Sequence, residues 1–260
     1  MIKENEICAL FEFDDEKVST RMPDKLNVKL PKVAIMCFFK EVVKEYSKLD
    51  EVNNVMTVYH DIIDWNYYEM SRDKKNKVVF TQAPMGAPLC VNIMEDLYTN
   101  GVELIIACGG CGVLSDIQEG EILIPTSAIR DEGTSFHYVK PSKEIELDSN
   151  VIKKVENILQ DLEIKYETCK TWTTDASKRE TPKKIELRKK QGCKTVEMEC
   201  SALTACASFR NKQFVELLYS GDLLNDVNNY NSRNWQFNNT TREKLFNICL
   251  ELAFRLNKDN

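Results

Sequence analysis

Residues 101–138, GVELIIACGGCGVLSDIQEGEILIPTSAIRDEGTSFHY, constrain the fold more than any other stretch. An apolar run over 102–108, broken only by Glu103, reads as a buried strand that ends in Gly109, Gly110 and Gly112. A second strand over 121–125 follows the turn at Glu119-Gly120. A strand that stops at glycines brings backbone N–H groups to a sheet edge with no side chain in the way. In α/β proteins that edge is where ligands bind. The following RDEGTSFHY is dense in groups that hydrogen-bond small molecules. Taken alone, the glycines fit a tight turn between core strands as well.

The rest of the chain alternates strand-like and helix-like segments. Strands are predicted at 33–39, 55–59, 78–81, 164–170, 195–198 and 214–219, the last ending at Ser220-Gly221-Asp222. Helices are predicted at 40–49, 88–99, 183–190, 200–209 and 242–256, with another capped by Ser149 or Asn150 and running to about residue 162. Pro88 and Pro182 suit first turns, and Gly192 suits a helix end. Residues 1–30, the charged segment ending in SRDKKNK, TWTTDASKRETP and 225–241 read as irregular connections. Such alternation implies one α/β domain over 1–260, a central, mixed but mostly parallel sheet between helical layers.

Composition excludes several classes. The net charge, 35 − 41 = −6, argues against a nucleic-acid partner. No apolar run reaches the ~18 residues of a membrane span. The N-terminus, MIKENEICALFEFDDEK, lacks a signal-peptide core, so a cytoplasmic location is expected. Ten unevenly spaced cysteines then read as reduced, buried thiols. Cys108-Gly-Gly-Cys111 is a C-x-x-C, but it ends a strand and has no second pair to complete a zinc site. No metal is expected.

Three polar clusters sit at or just after predicted strand ends: Arg130 to Ser135 with His137, Glu197-Met198-Glu199, and Ser220-Gly221-Asp222. A carboxylate that accepts two hydroxyl hydrogen bonds is a ready holder for a ribose diol, and a thioether packs on the sugar's apolar face. An aspartate behind a buried strand can have a raised pKa and donate a proton to a leaving group. Gly86, between a strand and a helix N-terminus, marks a second ligand edge. Each of these also fits a cap or a surface charge.

Together and in this order, the motifs resemble the family of uridine phosphorylases, purine nucleoside phosphorylases and methylthioadenosine nucleosidases. The resemblance spans roughly 78–256 and rests on APMGAP, ACGGCGVLSDIQEGEILIPTSAIRDEGTSFHY, TWTTDASKRET, VEMECSAL and the strand ending SGD. It implies a three-layer α/β/α sandwich of the nucleoside phosphorylase type. Glu199 would hold the ribose hydroxyls, with Met198 packed on the sugar and Glu197 beside it. Asp222 would be the general acid and, with Glu199, the catalytic pair. Thr174, Arg179 and Glu180 would read the base, while Gly86, Gly109 and Gly110 would line the phosphate. Phosphate is then a co-substrate, no cofactor is needed, and the partners are a nucleoside and phosphate within a homo-oligomer (a dimer, trimer of dimers or similar). The residues around 130–138 and Arg179 stand nearer the uridine branch, which points to a uridine-like substrate; Asp222 points to a purine. The chain departs from the family's pattern in four places. The Gly-Asp-Pro phosphate segment is absent, the phosphate arginine falls on Ala107, the following hydroxyl residue falls on Gly110, and Ser177-Lys178 replace an aromatic pair. A nucleosidase using water and a non-catalytic nucleoside-binding protein therefore stand beside the phosphorylase reading.

Overall fold

In the computed structural model of the chain, residues 9–23, 25, 28–59, 63–224, 230–235 and 238–258 are described. Largely buried segments form the inner strands β1 (Val33–Cys37), β4 (Lys77–Gln82), β5 (Leu104–Val113), β6 (Ile122–Asp131), β8 (Glu167–Thr174), β9 (Cys193–Glu197) and β10 (Gln213–Leu223). Amphipathic β2 (Val52–Val58) and β3 (Trp65–Ser71) form the outer end, and short β7 (Glu144–Glu146) hangs on β6. The order is β10-β6-β8-β9-β5-β1-β4-β3-β2. Because β10 also pairs with β5, the first five strands close into a ring from which β1, β4, β3 and β2 run off. Parallel pairing joins β5 to β1 and β10, β1 to β4, and β8 to β6 and β9. Antiparallel pairing joins β10 to β6, β9 to β5, and β3 to its neighbours.

Helices α1 (Lys40–Tyr46), α2 (Ala87–Thr99), α3 (Ser149–Asp161), α4 (Pro182–Lys190), α5 (Cys200–Arg210) and α6 (Asn239–Lys258) fill the layers and the ends. α2 packs on α5, whereas α1 and α3 pack on α6. Successive strand residues point to opposite faces. Cys108 on β5 accordingly meets Cys249 of α6, while Glu216 on β10, registered with Ala107, meets Cys200 of α5. This is the expected α/β/α sandwich.

Several predicted boundaries change, for physical reasons. β5 does not stop at its glycines, because Gly109 and Gly110 pair with Leu218 and Tyr219 of β10. A Cβ at Gly112 would collide with Leu224 and lie 3.0 Å from Val196 Cγ1, so the missing side chain is what lets β9 and β10 close against β5. β10 likewise continues through Ser220, Gly221 and Asp222. β3 falls in the supposed connection before SRDKKNK; Trp65 and Tyr67 are buried on one face and Met70 on the other. TWTT belongs to β8. Asp148 caps α3, accepting from Asn150 N–H at 2.8 Å. The expected irregular region 225–241 lies partly outside the described residues, and α6 begins within it at Asn239.

Candidate active site

The site forms where β9 leaves the ring beside the glycine-bearing end of β5. β9 meets β5 at Val196↔Gly112, so the chain that continues to Glu197, Met198 and Glu199 runs back past Cys111 and Gly110. Glu197 is the fixed point. Its Oε2 accepts the N–H groups of Glu199 and Cys200, both at 2.6 Å. Its Oε1 accepts the hydroxyls of Thr173 at 2.6 Å and Thr171 at 3.3 Å, both from β8. A side-chain acceptor thus satisfies the orphan N–H groups at the start of α5. Burial raises the Glu197 carboxyl to about 7 against these bonds.

Glu199 is held from the other side. Its Oε1 accepts Gly86 N–H at 2.5 Å, and its Oε2 accepts Met198 N–H at 3.3 Å. Gly86 has φ +102°, a backbone conformation that admits glycine readily, and it aims its N–H at Glu199. That N–H is therefore engaged by the carboxylate rather than turned to a phosphate. Burial first, then the Glu197 charge, lifts Glu199 to about 8. Met198 is half-buried beside it.

Behind this pair lies a residue that the sequence reading passed over. Glu216, buried in the middle of β10, has two carboxylate oxygens with no hydrogen-bond partner among the described residues. Burial, then the Glu197 charge, pushes its carboxyl well above the ordinary carboxylate range. The clue was a single charged residue inside the apolar run FVELLY. Glu197, Cys200 and Glu216 bring donor atoms within 4.8 Å of one another. Glu197 already spends both oxygens on four hydrogen bonds, and the Cys200 thiol is raised well above its usual range. With the Glu197 oxygens occupied and the Cys200 thiol held protonated by burial, the trio is a poor ligand set. Cys108 and Cys111, three apart on β5, point to opposite faces and cannot close on one ion.

Asp222 stands on the far side of Gly112, its Oδ1 3.4 Å from where a Cβ would be. It is half-buried, and burial raises its carboxyl although Tyr230, Arg233 and Lys178 oppose the shift. Glu180 reaches about 7 through burial and then the Asp222 charge. These two acids therefore face a common space. Thr174 is buried at the end of β8, with its hydroxyl accepting Ala176 N–H at 3.3 Å. Arg179 is exposed on the short turn Ser177–Arg179. Gly110 is exposed, Gly109 is buried, and Ala107 is fully buried beside Glu216.

The cluster after β6 is corrected. Arg130 donates to Ser135 Oγ, Lys140 O and Ser142 Oγ, each at 2.8 Å. Asp131 binds Trp172 Nε1, Lys184 and Arg188, each at 3.0 Å. Glu132 accepts from Ser201 Oγ at 2.8 Å and Ser135 N–H at 2.9 Å. These groups tie the loop to β8, α4 and α5; their bonding capacity serves the fold.

Comparison with known proteins gives the same architecture. The profile of the phosphorylase superfamily matches residues 32–253. The guanosine phosphorylase of Halorubrum lacusprofundi is 25% identical over 124 residues, which are 47% of this chain and 52% of that protein. The chain thus spans about half the length of that relative. The purine nucleoside phosphorylase of Toxoplasma gondii, solved with immucillin-H, superposes with a TM-score of 0.76 at 16% identity, covering 94% of this chain and all of that one (100%). The uridine phosphorylase of Vibrio fischeri gives 0.71 at 21% identity, covering 89% and 94%.

Proposed function

The chain belongs to the phosphorylase superfamily, and from that premise we propose that it cleaves the N-glycosidic bond of a nucleoside with phosphate, giving free base and ribose 1-phosphate. The Glu199 carboxylate carries this reading. A carboxylate has about four lone-pair positions, and Gly86 and Met198 use two. In the ionised form two remain, the number that a 2′,3′-diol fills. Glu197 fixes the backbone on which Glu199 stands, so the acceptor is positioned before substrate arrives. Positive charge that develops on the sugar as the bond breaks is favoured beside the Glu199 carboxyl in its ionised form.

At the base end, Asp222 and Glu180 supply carboxyl groups with raised pKa. A protonated Asp222 can donate to a purine ring nitrogen as the base departs. This supports a purine nucleoside over the uridine-like substrate expected from the base loop, whose stabiliser, Arg179, is exposed. Phosphate is the co-substrate and no cofactor is proposed. A second reading, hydrolysis, is favoured by one observation: the fully buried Ala107 methyl, beside Glu216, where the family's arginine would lie. Assembly with further copies of the chain is proposed with the phosphorylase reading.

The test is base release from inosine and uridine at increasing phosphate. A rate that rises from near zero and saturates with phosphate, faster on inosine, is expected. Release of base at the same rate without phosphate sinks the phosphorylase assignment in favour of hydrolysis, and release from neither nucleoside sinks both.

A further inference from the structure

A cavity of about 740 Å³ lies between the N-terminal segment, the β6–β7 connection and α4, and no residue placed in the site above lines it. Arg130, Lys140, Lys143 and Arg188 line it, and no acidic residue does. On a chain of net charge −6, that is a local reversal of sign. Its walls are aromatic: Phe11 and Phe136 meet edge to face at 5.8 Å, and the Arg130 guanidinium lies 4.1 Å over the Phe136 ring. Lys140 and Lys143 are exposed and have no carboxylate partner among the described residues. Arg188 pairs with Asp131 and Gln191, yet its Nε is buried with no acceptor among the described residues.

We propose that this cavity is a second ligand site, which takes a nucleoside monophosphate. The ring stacks against the phenylalanine walls, where Arg130 adds a cation facing the π-system. Several phosphate oxygens can meet Lys140 and Lys143 together, as cation clusters favour. The volume lies within the roughly 300–1,000 Å³ typical of small-molecule pockets. Bare phosphate would leave the aromatic walls in water, and an unphosphorylated nucleoside would leave the cations unpaired. Stacking does not depend on which base is present, so purine and pyrimidine monophosphates should both bind.

The experiment is isothermal titration of the intact chain with AMP, UMP, adenosine, uridine and inorganic phosphate. AMP and UMP are expected to bind at one additional site per chain. The double variant Lys140→Glu, Lys143→Glu is expected to weaken that binding about tenfold or more while adenosine affinity is unchanged, because reversed charges repel the phosphate. Both lysines are exposed, so the variant should fold; an unchanged melting temperature checks this, and the single Lys143→Ser replaces it if the double variant melts early. AMP affinity unchanged in the variant overturns the proposal. So does inorganic phosphate binding as tightly as AMP, which makes the cavity a simple anion site, or AMP displaced one-for-one by adenosine, which puts AMP in the active site.

Discussion

Glu199→Gln separates a binding role from a structural one. In the wild type, Oε1 faces Gly86 N–H at 2.5 Å and Oε2 faces Met198 N–H at 3.3 Å. Glutamine keeps one acceptor oxygen. If that oxygen stays on Gly86, the amide NH₂ turns to the Met198 N–H, where a donor meets a donor, and the substrate hydroxyl can no longer donate there. At least one hydrogen bond to a charged acceptor is lost, worth roughly 1.5–3 kcal/mol. At ~1.4 kcal/mol per factor of ten, the loss in kcat/KM is on the order of a hundredfold. Stability should move the other way. A carboxyl raised to about 8 in the fold favours folding fully below its unfolded value, and that contribution is lost as pH rises toward 8. The amide has no such pH-dependent loss, so the gap in melting temperature between variant and wild type should shift in favour of the variant as pH rises toward 8. The assays are kcat/KM on inosine with saturating phosphate and a thermal melt across pH. A kcat/KM within about threefold of wild type, ~0.65 kcal/mol, refutes the diol assignment.

Asp222→Asn should slow inosine cleavage by about 10²–10⁴-fold, the usual range for a lost general acid, with Arg179→Ala nearly silent; the reverse ranking on uridine would return the substrate to the pyrimidine class. Glu216→Gln should flatten the fall of stability with rising pH, because its raised carboxyl loses about 1.4 kcal/mol for each pH unit between its unfolded and folded pKa values; identical pH profiles for melting of variant and wild type would contradict a raised Glu216 carboxyl. Purified protein should carry no stoichiometric zinc, and Cys108→Ser with Cys111→Ser should not change its metal content; about one zinc per chain, lost in that double variant, would reverse the reading of the C-x-x-C.

Much of the architecture was legible. Pro88, Pro182 and Gly192 marked helix ends that the fold uses, and the Ala-rich segment after VEMEC is the α5 that packs under the sheet. β3 was not legible, because WNYYEMS mixes polar and aromatic residues and its burial depends on β2 and β4, which flank it. The glycines of β5 looked like a stop because the filler, Tyr219 beside Gly110, is more than a hundred residues away. VEMEC marked the site, but not which of its carboxylates clamps backbone and which remains open, since Thr171, Thr173 and Gly86 decide that from other elements. The polar run from Arg130 to Ser135 misled for the same reason. Its chemistry is used up by Ser201, Trp172 and Arg188, partners that only the folded chain brings near.

The most direct test of the account is phosphorus NMR of a reaction containing the protein, inosine and inorganic phosphate. The account requires a sugar-phosphate ester signal to grow as inorganic phosphate falls, equal in amount to the hypoxanthine released. Hypoxanthine appearing while the phosphate signal stays constant would mean that water attacks the sugar, and would contradict it.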